Sequence, residues 1–156
     1  MLAHTFDSPI GRITVMCDGT FLTRVAFGEY SEKSESHSPV LREAESQILE
    51  YLTGIRKEFD LPIAPMEDGF SKDVYAAMAR IPYGSTVTYG ALAEQSGHPK
   101  ASRAVGSACR KNPLPIIIPC HRVVPAIGGI GNYSGPEGVK AYLLKLESEQ
   151  IPDAGR

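Results

Sequence analysis

Two short helical patterns stand back to back in the second half of the chain, with a forced break between them. "TYGALAEQSG" (88–97) is a helical run stopped by Gly97, and "HPKASRAVGSACRK" (98–111) opens at a proline and runs to Asn112-Pro113. Proline has no N–H for the preceding turn and clashes with it, while glycine takes the left-handed conformation that ends helices. The stretch therefore cannot be one long helix. Two helices joined by a glycine-containing turn, the second of them basic, have the shape of a helix-turn-helix.

The flanks complete a mixed fold. "FSKDVYAAMARI" places Phe70, Val74, Ala77, Met78 and Ile81 at helical spacing before Pro82-Tyr83-Gly84. After the helix pair come "IIIP", a Cys-His pair, the glycine-rich "GGIGNYSG" and an amphipathic helix, "GVKAYLLKLESE". The isoleucine run reads as a buried strand that holds Cys120 rigidly. Upstream, "GRITVMC" and "FLTRVAF" read as strands across an Asp18-Gly19 turn. "SEKSESHS" reads as a polar loop. "SPVLREAESQILEYLTG" is a marked helix, with Ser38 as cap, Pro39 at its first position and Gly54 as stop. Its apolar stripe is Leu41, Ala44, Ile48, Tyr51 and Leu52. "KEFDL" is expected to be a short strand and "PIAPMEDG" a linker. The class is α+β: a small antiparallel sheet plus helix as scaffold in residues 1–67, and a mainly helical domain in 68–156.

Charge follows the same division. Net charge is only −2, but residues 1–68 carry −6 and residues 69–156 carry +4. From Arg80 to Pro125 there are six cations and one acid, Glu94. A basic half points to an anionic partner. Mean hydropathy is −0.13 and no apolar stretch approaches membrane-spanning length, so no membrane association is expected. The opening residues lack the pattern of a signal peptide. Three cysteines without CxxC spacing argue against a disulfide framework or a cysteine-rich zinc site, and they suit a reducing cytoplasm.

Most side chains from Pro99 to Lys111 are small. Ala101, Ala104, Val105 and Ala108 share one face and are expected to pack inward, whereas Ser102, Arg103, Gly106 and Arg110 share another. A smooth helix with one long arginine suits backbone binding and insertion better than base reading in the major groove. Glycine within a helix costs about 1 kcal/mol, which implies close approach by another body or tight helix packing.

The adjacent Cys120 and His121 admit three readings: metal ligands, an inert buried cysteine, or a nucleophile with its base. A nucleophile would need partial exposure and a lowered thiol pKa. Neighbours on a strand point to opposite faces, so either the chain turns after Pro119 or one water carries the proton. A carboxylate behind the histidine would fix its tautomer, and Glu147 and Glu149 are on offer.

"RAVGSACRKNPLPIIIPCHRVVPAIGGIGNYSG" is similar over its length to the O6-alkylguanine-DNA alkyltransferases, or methylated-DNA–protein-cysteine methyltransferases. The match continues through "IPYGSTVTYGALA", "KAYLLKLE" and the opening "DSPIGRITV". The resemblance implies a ribonuclease-H-like N-terminal domain and a winged helix-turn-helix in the C-terminal one. It implies a monomer, without metal or cofactor, that binds double-stranded DNA containing O6-alkylguanine in the minor groove. The damaged base is flipped out and its alkyl group moved to the protein in one turnover. In this sequence Cys120 is then the acceptor, His121 its base through water, and Glu147 the residue orienting His121. Arg103 fills the vacated base stack, and Tyr89 crowds the phosphate and donates to the flipped base. Lys100, Ala101, Ser102, Ala104, Gly106 and Arg110 complete the DNA face. The carbonyls of Cys120 and Val123 accept from the guanine amino group, Tyr133 and Ser134 line the opposite wall, and Asn112 pins the turn after the recognition helix. Arg122 is expected to be structural and Cys109 packed and inert.

Two departures and two rivals accompany this resemblance. Pro136-Glu137-Gly138 stands where the family has a second glycine, which puts tolerance for bulky alkyl groups in question. A non-catalytic lesion-binding protein on the same scaffold would lack the cysteine. A cysteine hydrolase would leave the basic helix pair without a task.

Overall fold

The computed structural model describes residues 1–28 and 38–150. It divides into two compact units, Met1–Pro65 and Met66–Arg156. In the first unit, β1 (Leu2–Phe6), β2 (Ile13–Cys17) and β3 (Leu22–Phe27) form an antiparallel sheet in the order β1-β2-β3. The tight turn from β2 to β3 is organised by Asp18, whose carboxylate accepts the N–H groups of Thr20 (2.9 Å) and Phe21 (2.7 Å). Every residue of β2 is buried. Its Thr14 hydroxyl is satisfied there, bonded to Thr5 at 2.7 Å and donating to the Gly28 carbonyl at 2.8 Å. β1 had no signal in the sequence pattern, because only Ala3 and Phe6 of its five residues are buried, and their spacing is not the period of two that marks a strand. "SEKSESHS" lies outside the described residues except for Ser38.

Helix α1 (Pro39–Leu52) starts and stops as its residues dictate: the Ser38 side chain accepts from Leu41 N–H, and Pro39 is the first helical residue. The whole predicted stripe is buried, and Gln47 joins it. That glutamine overturns the strand expected at "KEFDL". Its amide donates to the Asp60 carbonyl (3.0 Å) and accepts the Asp60 N–H (2.9 Å), serving the backbone groups a sheet ladder would have used. Ladder-like pairing comes slightly later, where Leu22 of β3 bonds to Pro62 and Ala64 on either side of Ile63.

The second unit contains α2 (Phe70–Ala79), β4 (Val87–Thr88), α3 (Tyr89–Gln95), α4 (Ser102–Lys111), a 3₁₀ turn (Cys120–Arg122), β5 (Val123–Val124) and α5 (Val139–Gln150). β4 pairs with β5 in parallel, Val87 opposite Val123. Helices α2, α3 and α4 pack on one another around Val74, Met78, Leu92 and Val105. Tyr75 joins α2 to α4 by donating its hydroxyl to the Ala108 carbonyl (2.8 Å).

Three local expectations change. First, α4 begins at Ser102 rather than at Pro99. Lys100 takes a left-handed φ of +77°, and Ala101 N–H turns back to the His98 carbonyl. Second, the inward face of α4 is Val105, Gly106, Ala108 and Cys109, while Ala104 is exposed and Ala101 half-buried. Third, "IIIP" is buried but is no strand. Pro113, Pro115 and Pro119 remove backbone donors on both sides of the run, so no ladder can form. The chain instead coils around Asn112, which donates to the Ile118 carbonyl (2.8 Å) and accepts Leu114 N–H (2.9 Å). Ile116 takes φ +76° in this coil, a conformation a β-branched residue rarely adopts.

Candidate active site

The coil around Asn112 delivers the chain into the Cys120–Arg122 turn. Successive side chains of a 3₁₀ turn diverge by about 120°, against roughly 180° in a strand. Cys120 and His121 therefore leave the backbone on adjacent sides, and the chain does turn directly after Pro119. Both residues are fully buried.

Behind His121 stands Glu147, from the inward face of α5. Its Oε2 lies 2.7 Å from His121 Nε2. The carboxylate also accepts from Arg122 Nε (2.9 Å) and Nη2 (2.8 Å) and from the Gly84 N–H (3.0 Å). Arg122 spends its Nη1 on the Ile81 carbonyl (2.7 Å). So many donors leave this carboxylate one geometry, and it accepts from His121 Nε2–H. Nδ1 then holds the lone pair of the neutral ring. Burial holds the His121 pKa below its ordinary value, against the upward pull of Glu147. The imidazole is neutral at physiological pH. Glu149, the other carboxylate of α5 considered from sequence, is exposed.

Cys120 departs from one expectation. Rather than being half-exposed with a lowered pKa, its thiol is pushed up, by burial above all. Asn112, the Lys140 charge and Ser134 work against that rise. The resting pair is thus a neutral thiol beside a neutral imidazole, with the groups that would steady a thiolate already in place. Cys109, in contrast, is pushed up to about 12, mainly by burial. It is buried, and its raised pKa disfavours the thiolate. Because its folded pKa exceeds the ordinary 9.0, Cys109 supports the fold in full below pH 9 and loses that contribution as pH rises toward 12. The span corresponds to about 4 kcal/mol. Cys109→Ala is expected to flatten the alkaline fall of unfolding free energy between pH 9 and 11, measured by denaturant titration; an unchanged slope would contradict the assignment.

Helix α4 presents a groove of about 490 Å³ lined by Tyr89, Ser102, Arg103, Gly106, Ser107, Arg110 and Asn132. Arg103 is exposed at this groove, and Lys100 is exposed in the turn before the helix. Tyr89, the first residue of α3, accepts the Asn132 N–H on its hydroxyl oxygen (2.6 Å) and so keeps its own proton to donate. A Cβ on Gly131, which sits at φ +80°, would collide with that hydroxyl and with Pro125. A Cβ on Gly106 would stand 2.7 Å from Asn132 Nδ2, so the body that approaches this helix closely is the chain's own loop. Tyr133 and Ser134 follow Asn132, and the Ser134 hydroxyl is buried.

Two contributors escaped sequence reasoning. Asn132 gave no signal. Lys140 could have been found, because it falls on the α5 face that carries Leu143 and Glu147. It is buried, and its ammonium donates to the carbonyls of Val123 (2.6 Å) and Asn132 (2.9 Å). The Cys120 carbonyl likewise receives the Val123 N–H. Both carbonyls expected to meet a guanine amino group therefore already hold one donor, and each retains a second lone pair. Among the described residues, no three His, Cys, Asp or Glu side chains gather as a potential metal site, and no helix is long and apolar enough to cross a membrane.

Comparison with known proteins gives a consistent result over the chain. Residues 69–149 match the family model for the 6-O-methylguanine DNA methyltransferase DNA-binding domain, and residues 1–65 match that for its ribonuclease-like domain. A methylated-DNA–protein-cysteine methyltransferase of Methanosarcina acetivorans is 43% identical over 148 residues, covering 91% of this chain and 95% of that protein. The Mycobacterium tuberculosis H37Rv protein of the same name is 40% identical over 154 residues, covering 96% and 93%. A crystal structure of Mycobacterium tuberculosis OGT in complex with DNA superposes with a TM-score of 0.86 at 37% identity, covering 97% of this chain and 96% of that one. The helix pair, the Cys120–His121–Glu147 arrangement and both halves of the sequence thus converge, and the chain belongs to the methylated-DNA–protein-cysteine methyltransferase family.

Proposed function

We propose that this protein repairs DNA by direct reversal, moving an alkyl group from O6 of guanine in double-stranded DNA to its own Cys120. The observation that carries this reading is the buried line of Cys120, His121 and Glu147, in which an anchored carboxylate leaves the histidine's lone pair on Nδ1. His121 takes the thiol proton, directly or through one water, as sulfur attacks the alkyl carbon. The C–O6 bond breaks and its electron pair passes to guanine, where the Tyr89 hydroxyl meets the developing charge and Ser134 stands near the leaving oxygen. In sum, sulfur gains the alkyl group and guanine gains a proton. Tyr133 walls the pocket, and the free lone pairs on the Cys120 and Val123 carbonyls receive the guanine amino group. Asn112 keeps Cys120 in place from the end of α4.

The DNA face in this reading is the minor-groove side of α4 with the turn before it: Lys100, Ala101, Ser102, Arg103, Ala104 and Arg110. Gly106, expected on that face from the sequence, is buried against Asn132 instead. Exposed small residues let the helix approach the duplex, and Arg103 enters the stack as the base leaves. Residues 1–67 act as scaffold and 68–156 bind and react. The protein works as a monomer in a reducing cytoplasm, which keeps the acceptor thiol available; Cys17, Cys109 and Cys120 are all free.

Incubating the protein with duplex DNA bearing O6-methylguanine and then weighing it tests the proposal. One methyl group per chain, mapped to the Cys120 peptide, is expected. An unmodified protein that still binds the lesion would favour a binding role, and repeated turnover would favour a hydrolase. Arg103→Ala is expected to slow repair in duplex DNA roughly 10-fold or more, since flipping costs a few kcal/mol that the inserted side chain partly offsets. The free O6-methylguanine base needs no flipping and should react at an unchanged rate. Equal losses on both substrates would sink the stack-filling role.

A further inference from the structure

Asn132 is bound through three of its polar groups to three different helices. Its N–H goes to Tyr89 at the start of α3 (2.6 Å), and its carbonyl takes the buried Lys140 ammonium of α5 (2.9 Å). Its side-chain oxygen takes Arg110 Nη1 of α4 (2.9 Å), while its amide nitrogen rests over Gly106, where a Cβ would stand 2.7 Å away. The next two residues are Tyr133 and Ser134, the pocket wall in the alkyl-transfer reading, and Ser134 is one of the groups that lower the Cys120 thiol pKa. Arg110 itself is exposed, at the edge of the groove along α4. A helix placed for DNA is thus tied, through one loop residue, to the wall around the thiol.

We infer that Asn132 is a positioning residue of the alkyl-transfer pocket, and that Arg110 acts through it. The recognition helix then sets the pocket wall even when no DNA is bound. The inference rests on the alkyl-transfer reading above and adds to it. If Arg110 served only to hold phosphates, its loss would matter only with DNA. If it holds Asn132, its loss must also slow a reaction in which no phosphate takes part.

The test is methylation of the protein by free O6-methylguanine base, followed by intact mass and peptide mapping. Arg110→Met and Asn132→Ala are each expected to slow methylation of Cys120 about 3- to 10-fold, the range for losing one partly exposed hydrogen bond. The double variant should be no slower than either single one, because both remove the same link. Asn132→Asp keeps an acceptor for Arg110 and should recover most of the rate, whereas Asn132→Leu, which fills similar space without an acceptor, should not. Recovery by both would point to a merely space-filling role. Arg110 is a surface residue, so its variant folds, and melting curves confirm this for the others. Arg110→Met reacting with the free base at the wild-type rate would overturn the inference, as would losses that multiply in the double variant. If the wild type takes no methyl group from either base or duplex, the alkyl-transfer reading falls, and the inference falls with it.

Discussion

Cys120→Ser is expected to abolish methyl transfer entirely while duplex binding stays within about twofold, because binding rests on α4 and its cations. A serine hydroxyl in the same buried site has a far higher pKa than the thiol, and a neutral imidazole cannot ionise it enough for attack on an alkyl carbon. In the wild type the product is a thioether, and no group in this site is placed to cleave a C–S bond. Each chain therefore repairs one lesion and is spent. The added methyl enters a site where Cys120 is fully buried and adds volume to it. Overpacking of this kind destabilises by about 1–3 kcal/mol, so the reacted protein should melt at a lower temperature. Methyl transfer by Cys120→Ser, label on Cys109, or several lesions repaired per chain would each refute the assignment.

Glu147→Gln is expected to be the most damaging substitution away from the nucleophile. The carboxylate is buried and binds Arg122, His121 and Gly84 together. Removing its charge leaves the buried Arg122 guanidinium without a counter-ion, which costs about 3–5 kcal/mol of stability. It also releases the His121 tautomer, and the methyl-transfer rate should fall about 10²-fold or more, within the range for losing general-base assistance. Glu147 raises the His121 pKa, so its loss lowers that pKa further below 6.5. The acid limb of the rate profile should then move to lower pH in the variant. A stable Glu147→Gln protein with wild-type rate and profile would show that the carboxylate neither holds the arginine nor orients the histidine.

Local rules carried much of the fold. Ser38, Pro39 and Gly54 set the limits of α1, and Asp18-Gly19 the turn, because capping and turn formation depend on residues a few positions apart. The same rules failed where a distant side chain took over backbone groups. Gln47 intercepts Asp60, and Asn112 with three neighbouring prolines curls the isoleucine run out of its expected strand. β1 was invisible because an edge strand needs only a sparse apolar pattern.

At the site, chemical types were legible and their states were not. A Cys-His pair after a basic helix pair, with a carboxylate on the last helix, could be read from the order of residues, since each type has few uses. The choice of Glu147 over Glu149 follows from which face of α5 turns inward. The neutral thiol in place of a thiolate follows from complete burial, and desolvation is a property of everything packed around a group. Lys140 and Asn132 take their meaning only from the carbonyls and helices that fold against them. The sequence by itself determined which groups this protein has for chemistry and where α1 begins and ends. Only the tertiary structure decided which of those groups meet, how dry they are and which one holds the proton, because dielectric and hydrogen-bond partners come from residues far apart in the chain.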